Sequence, residues 1–266
     1  MIKKNIVFFL PNFGLGGAAQ SITNTVINLN RGKYNIYIFC LNNCAYKKIF
    51  LKKKIKIYEI KKERTIFSFL LIKKKIKQII YETNLDTIFV SNINYANILS
   101  ILFLSNIKFL KVITVDRTPI QELNFYYNNF FLLIKNIIIK LLIKTFYRKA
   151  STRIGNSKTL SDDLSKFTKS SFHTIYPYTL KKIIPFEKKS FNKNNEIINI
   201  IWVGRLSREK SLETLIYAVD NLKKEKINVK IFGDGPQKKH YLNTINRLGL
   251  NKKIKFFGYK KNINNF

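Results

Sequence analysis

The stretch from Ile200 to Pro236 limits the folds open to this chain more than any other part of the sequence. An apolar run, Ile197 to Val203, stops at Gly204, and such a run is typical of a buried parallel strand. Beyond the turn, four apolar residues recur at helical spacing: Leu212, Leu215, Ile216 and Val219. A second apolar run, Val229 to Phe232, also stops at a glycine. The stretch therefore predicts a β-α-β unit.

Two basic residues lie in the loop where the first strand of this unit gives way to the helix. Arg205 and Lys210 follow the carboxyl end of the strand, which is the edge where open parallel sheets bind ligands. Cations next to a helix N-terminus suit a ligand that carries phosphate groups. The alternative is that both are ordinary solvated surface charges, as most Lys and Arg are.

The motif as a whole resembles a known family. Val203 to Lys210 reads Val-Gly-Arg-Leu-Ser-Arg-Glu-Lys, and Phe232 to Pro236 reads Phe-Gly-Asp-Gly-Pro. Both segments closely resemble the glycosyltransferases of family 4, also described as the glycosyl transferases group 1 domain. The resemblance implies the GT-B fold, in which two Rossmann-like, doubly wound α/β domains face a cleft.

The resemblance also assigns roles on the donor side of that cleft. It implies that Arg205 and Lys210 hold the diphosphate of a nucleotide-sugar. Four further loop residues fall on the donor side by the same resemblance: Gly204, Gly233, Asp234 and Gly235. For Asp234 we favour a simpler role, a buried turn carboxylate that caps the helix after Pro236.

The first half of the chain predicts a second sheet of the same kind. Strand-like and helix-like segments alternate, which argues for a parallel, doubly wound sheet. The predicted strands are Asn5 to Leu10, Tyr34 to Leu41, Ile55 to Ile60, Asp86 to Ser91, Phe109 to Val115 and Ser151 to Gly155. The predicted helices include Ile66 to Tyr81, Tyr95 to Leu104 and one that Asn156-Ser157 caps.

A glycine-rich loop follows the first predicted strand and leads into a helix. Its glycines Gly16 and Gly17 allow a ligand to approach the backbone, although a tight turn is the alternative explanation. The loop lacks the Gly-x-Gly-x-x-Gly spacing of dinucleotide-binding enzymes. It resembles the first loop of the same glycosyltransferase family, which faces the donor phosphate and the acceptor.

The strand Phe109 to Val115 ends in Asp116-Arg117-Thr118-Pro119. Many family members have a histidine at this edge, whereas a subgroup resembles this chain in having an acidic residue, an Arg and a nearby Pro. By that resemblance, Asp116 and Arg117 face the sugar and the acceptor. The alternative is a helix-capping Asp beside a surface Arg. The absence of the histidine leaves the catalytic residue unassigned.

The region from Asn124 to Lys149 is the most apolar part of the sequence. A narrow polar stripe recurs every four residues at Asn136, Lys140, Lys144 and Arg148. Such a helix suits either a membrane surface or a core position against the sheet. We favour core packing, because a doubly wound sheet needs long apolar helices on its faces.

The chain carries a formal net charge of +34, from 49 Lys and Arg against 15 Asp and Glu. Such an excess suits nucleic acid, an anionic membrane or a polyanionic substrate. Residues with codons rich in A and T are all abundant, and we attribute the larger part of the excess to genomic base composition. Because no RNA-binding aromatic motif or helix-turn-helix is recognisable, we do not expect nucleic acid as a partner.

Cysteine content and targeting signals bear on metal binding and on the cellular location. Cys40 and Cys44 are too few ligands for a metal site, so we predict buried free thiols. The apolar run Ile6 to Leu10 is too short for a signal peptide, and no segment reaches the roughly 18 apolar residues of a membrane span. We expect a cytoplasmic protein, with peripheral contact to the inner face of the membrane left open.

The predicted organisation is an N-terminal domain over residues 1–180, a lysine-rich linker at 181–196 and a C-terminal domain over 197–266. The second domain shows three strands, where a complete Rossmann-like domain has about six. By the resemblance, the missing part carries two glutamates that contact the donor. We therefore predict a C-terminally truncated family member whose activity is uncertain.

The sequence thus favours a retaining, metal-independent glycosyltransferase, or a fragment of one, that needs no cofactor. By the resemblance, it moves a sugar from a nucleotide-sugar to a glycan or lipid-linked acceptor, in surface polysaccharide synthesis. The alternatives are a non-enzymatic basic protein that binds membrane or nucleic acid, and an inactive remnant.

Overall fold

The computed structural model describes residues 3–60, 65–124, 129–178 and 197–260. The chain divides into two compact units, Met1–Ile184 and Pro185–Phe266, and each has its own parallel sheet. The predicted linker at 181–196 lies outside the described residues.

The first unit contains a seven-stranded parallel sheet. Its strands are β1 Lys4–Phe9, β2 Tyr34–Cys40, β3 Lys56–Glu59, β4 Thr87–Asn92, β5 Leu110–Asp116, β6 Thr152–Gly155 and β7 His173–Thr174. They are arranged in the order β3-β2-β1-β4-β5-β6-β7, so the direction of strand addition reverses between β1 and β4. In a doubly wound sheet this reversal opens a crevice beyond the carboxyl ends of those two strands.

Helices cover both faces of this sheet, as the doubly wound prediction requires. They are α1 Gly17–Asn28, α2 Lys47–Lys52, α3 Thr65–Thr83, α4 Asn94–Leu104, α5 Phe130–Phe146 and α6 Lys158–Thr168. Helices α1 and α2 pack on one face, around Phe13 and Phe50. The other four pack on the opposite face, around Phe9 and Phe89. The sequence missed only short elements here, notably α2 and β7.

The second unit is a three-stranded parallel sheet with two helices. Its elements are β8 Ile198–Val203, α7 Leu212–Asn221, β9 Ile227–Phe232, α8 Lys238–Arg247 and β10 Ile254–Gly258, and the strand order is β10-β9-β8. Both helices contribute to one apolar cluster with the alternate residues Ile227, Val229 and Ile231 of β9. The predicted β-α-β unit and the mixed α/β fold class are confirmed.

The prediction that the first strand of this unit is buried is wrong. Ile201 and Val203 of β8 are 46% and 55% exposed. In the described part of the chain, β8 is an edge strand, and both helices pack on the opposite face of the sheet from these two side chains. An uninterrupted apolar run shows that a strand could be buried on both faces. Whether the second face is buried depends on another layer that packs against it, which the run itself does not reveal.

Helix α5 is a core helix, but in an orientation that the sequence did not predict. Ile139 and Ile143 are buried against the first sheet, and Asn136, the first member of the supposed outer polar stripe, is buried with them. A broad apolar face points outward instead, and Phe131 is 82% exposed. Core packing is therefore confirmed for the inner side of α5 alone. Among the described residues, no helix is both long and apolar enough to cross a bilayer.

The orientation of α5 predicts that alanine substitutions of two isoleucines in this helix differ widely in their effect on stability. Ile143→Ala should lower the free energy of unfolding by about 2–4 kcal/mol, because it leaves a cavity in a core that is closed to solvent. Ile138→Ala should cost less than about 1 kcal/mol, since that side chain is half exposed. Urea denaturation of both variants measures the difference, and equal losses would contradict this orientation.

Candidate functional site

The loop after β8 displays two cations at the carboxyl edge of the second sheet. Arg205 lies two residues beyond the end of β8, and Lys210 ends a short 3-10 helix, Arg208–Lys210, just before α7. Both side chains belong to exposed residues. Among the described residues, neither cation lies within 4.0 Å of a carboxylate oxygen. The loop thus presents positive charge that remains available to an anionic ligand.

Glu209 lies between these cations, and the sequence analysis did not assign it a role. Its Oε1 accepts a hydrogen bond from the Ser207 hydroxyl at 2.5 Å. That bond, together with the charges of Arg205 and Lys210, holds the pKa of the Glu209 carboxyl below its ordinary value. The carboxylate therefore stays ionised and offsets part of the positive charge. The only signal in the sequence is its position between Arg205 and Lys210, and no spacing rule predicts the bond to Ser207.

The loop is held rigidly from two sides. The Tyr241 hydroxyl on α8 donates to the Ser207 carbonyl oxygen at 3.2 Å, within the core. The backbone N–H of Leu206 donates to the Asp234 carbonyl at 3.0 Å, and the Gln237 N–H donates to the Leu206 carbonyl at 2.9 Å. Loops β8-α7 and β9-α8 are therefore joined backbone to backbone, which positions Arg205 on a fixed scaffold.

This close approach explains two of the four donor-side residues, Gly233 and Gly235. A Cβ on Gly233 would lie 1.8 Å from the Gly204 carbonyl oxygen, and the φ of Gly233 is +146°, which favours glycine. A Cβ on Gly235 would lie 2.5 Å from the Leu206 carbonyl oxygen. At Gly204 itself, a Cβ would approach the Trp202 ring to 2.9 Å. Packing of the two loops therefore requires glycine at Gly233 and Gly235, whereas the close neighbour of Gly204 is a side chain of β8, the strand before it.

Asp234, the fourth of these residues, forms a turn. Its Oδ1 accepts from the Gly235 N–H at 2.8 Å and lies 3.8 Å from the Lys238 ammonium. The turn role that the sequence suggested agrees with this geometry, whereas the burial does not, because the side chain is 62% exposed.

The glycine-rich loop of the first unit has a different character. Gly16 precedes α1 with an ordinary extended backbone (φ −143°, ψ 164°), and no side chain caps the helix. A Cβ added to Gly16 or Gly17 would meet no atom within 4 Å in the described structure. The first N–H groups of a helix also lack partners within the helix. Open space above free N–H groups leaves room for a ligand to approach the backbone.

The two predicted acceptor-side residues point in different directions. The Asp116 side chain is fully buried, and its Oδ1 accepts from the Tyr147 hydroxyl at 2.8 Å and from Asn97 Nδ2 at 3.1 Å. Its Oδ2 has no hydrogen-bond partner among the described residues. Burial raises the pKa of this carboxyl to about 7, against the opposing effect of the two hydrogen bonds.

Arg117 lies at the crevice between β1 and β4 instead. Its Nε donates to Asn92 Oδ1 at 3.2 Å, and Asn92 Nδ2 donates to the Phe9 carbonyl at the end of β1, also at 3.2 Å. Partial burial lowers the pKa of the guanidinium from its ordinary value. The structure therefore brings Arg117 to the carboxyl ends of β1 and β4 and separates it from the carboxyl of Asp116.

The match to a known family is confined to the second unit and the few residues before it. Residues 183–266 match the family model described as "Glycosyl transferases group 1". No curated protein sequence matches the chain.

Solved structures match over nearly the whole length. Anabaena HepE in complex with UDP and glucose is 17% identical, with a TM-score of 0.67, over 97% of this chain and 70% of HepE. A glycosyltransferase from Rickettsia africae is 18% identical, with a TM-score of 0.62, over 97% of this chain and 69% of its own. An S. aureus TarM mutant in complex with UDP is 11% identical, with a TM-score of 0.63, over 97% of this chain and 78% of TarM.

At these identities the structural matches establish the fold, and the family model adds a sequence match that is confined to residues 183–266. The predictions of the GT-B fold and of a transferase are confirmed at this level, whereas assignment to family 4 stays a prediction. The chain is a two-unit α/β protein of the GT-B type, and its residues 183–266 match the model of the glycosyl transferases group 1 family.

Proposed function

We propose that this protein transfers a sugar from a nucleotide-sugar to a hydroxyl group of a glycan or lipid-linked acceptor, with Arg205 and Lys210 as the ligands of the donor diphosphate. The observation that carries the proposal is the pair of exposed cations on the pinned β8-α7 loop, inside the segment that matches the family model. HepE and TarM support it, because both have been solved with UDP.

Transfer of a sugar from a nucleotide-sugar is favoured by fixed positive charge beside the leaving diphosphate. When the bond between sugar and diphosphate breaks, negative charge builds up on the diphosphate oxygens. Cations that are already in place stabilise that charge without reorganising. Arg205 is suited to this task because the backbone on either side of it is tied to the β9-α8 loop. The first turn of α7 follows Lys210 closely and adds the favourable end of a helix dipole.

Gly16 and Gly17 belong to the same proposal as a substrate-contacting loop of the first unit. Neither close packing nor a positive φ accounts for glycine there, in contrast to Gly233. A ligand phosphate that approaches the helix N-terminus would account for both. We also propose Arg117 as a group on the acceptor side, because it lies at the crevice between β1 and β4. Asp116 would then support this edge from inside the core.

Retention of configuration, metal independence and a role in surface polysaccharide synthesis remain part of the proposal through the family resemblance alone. The cytoplasmic location stays a prediction, and the catalytic residue remains unassigned.

The proposal predicts that donor binding depends on Arg205. Arg205→Ala should weaken the binding of UDP or GDP, whichever the protein binds, at least about tenfold, because it removes a charge-assisted contact to phosphate. Isothermal titration calorimetry measures the change. Arg247→Ala is the matched control, since it removes an exposed arginine of the same unit from the last turn of α8, and it should bind as the parent does. Unchanged affinity in Arg205→Ala would remove the diphosphate role.

Asp116 predicts a specific pH dependence of stability. In the unfolded chain its carboxyl releases its proton near pH 3.8, whereas in the folded chain it holds the proton up to about pH 7. The folded state therefore binds more protons between these values, and its stability falls as the pH rises through this window. Asp116→Asn removes this contribution, so the variant should gain on the order of a few kcal/mol relative to the parent between about pH 4 and about pH 7.

Denaturant titrations across this pH range measure the difference between parent and variant. Asp162→Asn, which changes an exposed aspartate of the first unit, is the control and should follow the parent at every pH. Parallel curves for the parent and Asp116→Asn would show that folding does not raise the pKa of Asp116.

A further inference from the structure

Helix α5 exposes a continuous apolar face. Six of its large side chains are between 41% and 82% exposed and fall on one side of the helix: Phe130, Phe131, Ile134, Ile137, Ile138 and Leu141. We call this set the α5 face. A contiguous exposed apolar patch on a folded protein commonly marks an interaction surface, whereas isolated exposed apolar side chains need no explanation.

The exposure is a property of the folded unit and not of a loose helix. The opposite side of α5 is anchored by Ile139 and Ile143 in the core, and the Asn129 side chain caps the helix by accepting from the Leu132 N–H at 3.0 Å. The α5 face therefore cannot turn inward without removing these buried residues from the sheet. It is covered, if at all, by something that comes from outside the described unit.

Positive charge borders the α5 face on both sides. At helical spacing, Lys135 flanks it on one side and Lys140 and Lys144 flank it on the other, and Arg148 and Lys149 follow at its end. Helix α5 contains no Asp or Glu. The acidic residues on the elements that pack against α5 are few: Glu122, Asp162 and Asp163. Long basic side chains beside an apolar stripe are the arrangement that places apolar groups in acyl chains and ammonium groups among anionic headgroups.

A second helix extends the same surface. Helix α3 exposes Ile66, Phe67, Leu70 and Leu71 in its first two turns, and lysines follow them along the helix. Helices α3 and α5 both pack against α4 on one face of the sheet. Because each helix follows a strand of the same parallel sheet, their N-terminal turns lie at the same edge. The apolar starts of α3 and α5 therefore lie at one end of the unit.

We propose that the α5 face docks this protein onto an anionic lipid surface. The charge pattern selects this partner over a second copy of the chain. A two-fold dimer through the α5 face would bring identical lysine rows together, and the net charge of +34 opposes association of like copies. An anionic bilayer meets both requirements at once, since it accepts the aromatic and aliphatic side chains and neutralises the flanking cations.

Sedimentation of the full chain with vesicles tests the proposal. The parent should bind phosphatidylcholine vesicles that contain about 30% phosphatidylglycerol at least about tenfold more tightly than pure phosphatidylcholine, and binding should weaken as salt is raised. The triple variant Phe131→Gln, Ile138→Gln and Leu141→Gln should lose at least about tenfold in binding to the anionic vesicles. All three side chains are at least half exposed, so circular dichroism should show an unchanged fold.

Matched control variants test whether vesicle binding depends on the α5 face itself or only on exposed apolar side chains and positive charge anywhere on the protein. Tyr217→Gln, Leu222→Gln and Leu242→Gln together remove three exposed apolar side chains from the second unit and should leave binding unchanged. Lys135→Gln with Lys144→Gln should weaken anionic binding, whereas Lys239→Gln with Lys252→Gln should weaken it far less. The lysine pair keeps the proposal testable even if the apolar triple variant fails to fold.

Three results would overturn the proposal. They are equal binding of the parent to neutral and anionic vesicles, undiminished binding of both α5 variants, and a parent dimer in lipid-free sedimentation analysis that the α5 variants convert to a monomer. The last result would identify a second copy of the chain as the occupant of the α5 face.

Discussion

The parallel direction of all ten strands in the described part of the chain is the constraint on which the rest of this structure depends. Each sheet collects the carboxyl ends of its strands at one edge, so every strand-to-helix loop of a unit opens on the same side. In the second unit that edge carries Arg205 and Lys210. In the first unit it carries the Gly16-Gly17 loop and Arg117, and Asn92 ties the ends of β1 and β4 together. The candidate site residues therefore lie in the loops that follow the carboxyl ends of the strands.

Glycine has two separate uses in these loops. Gly233 and Gly235 let two backbones meet, and a side chain at either position would collide with a carbonyl oxygen of the neighbouring loop. Gly16 and Gly17 have open space around an added Cβ, so packing within the described chain does not require glycine there. A motif that treats all of these glycines as ligand-binding residues therefore mixes two that are required by packing with two that are not.

Much of the fold could be predicted from the sequence, because apolar runs that end at glycine and helical spacing of Leu and Ile are local signals. The position of Arg205 followed from the same pattern. Three features depended on what packs where and could not be predicted. Val203 is exposed because both helices of its unit lie on the other face, and Asn136 faces inward because the core takes the opposite side of α5. Asp116 and Arg117 are neighbours in sequence, but at the end of β5 the first side chain enters the core and the second contacts Asn92 at the end of β4.

The central claim is that the β8-α7 loop binds a nucleoside diphosphate. Hydrogen–deuterium exchange of the full chain, measured with and without saturating UDP or GDP, tests it most directly. The account predicts slower exchange over residues 204–214, and over the loop at 11–20 if Gly16 and Gly17 contact the same ligand class, while α5 exchanges as before. Unchanged exchange at 204–214 with a nucleotide that calorimetry shows to be bound would contradict the account, because the ligand would then lie elsewhere on the protein.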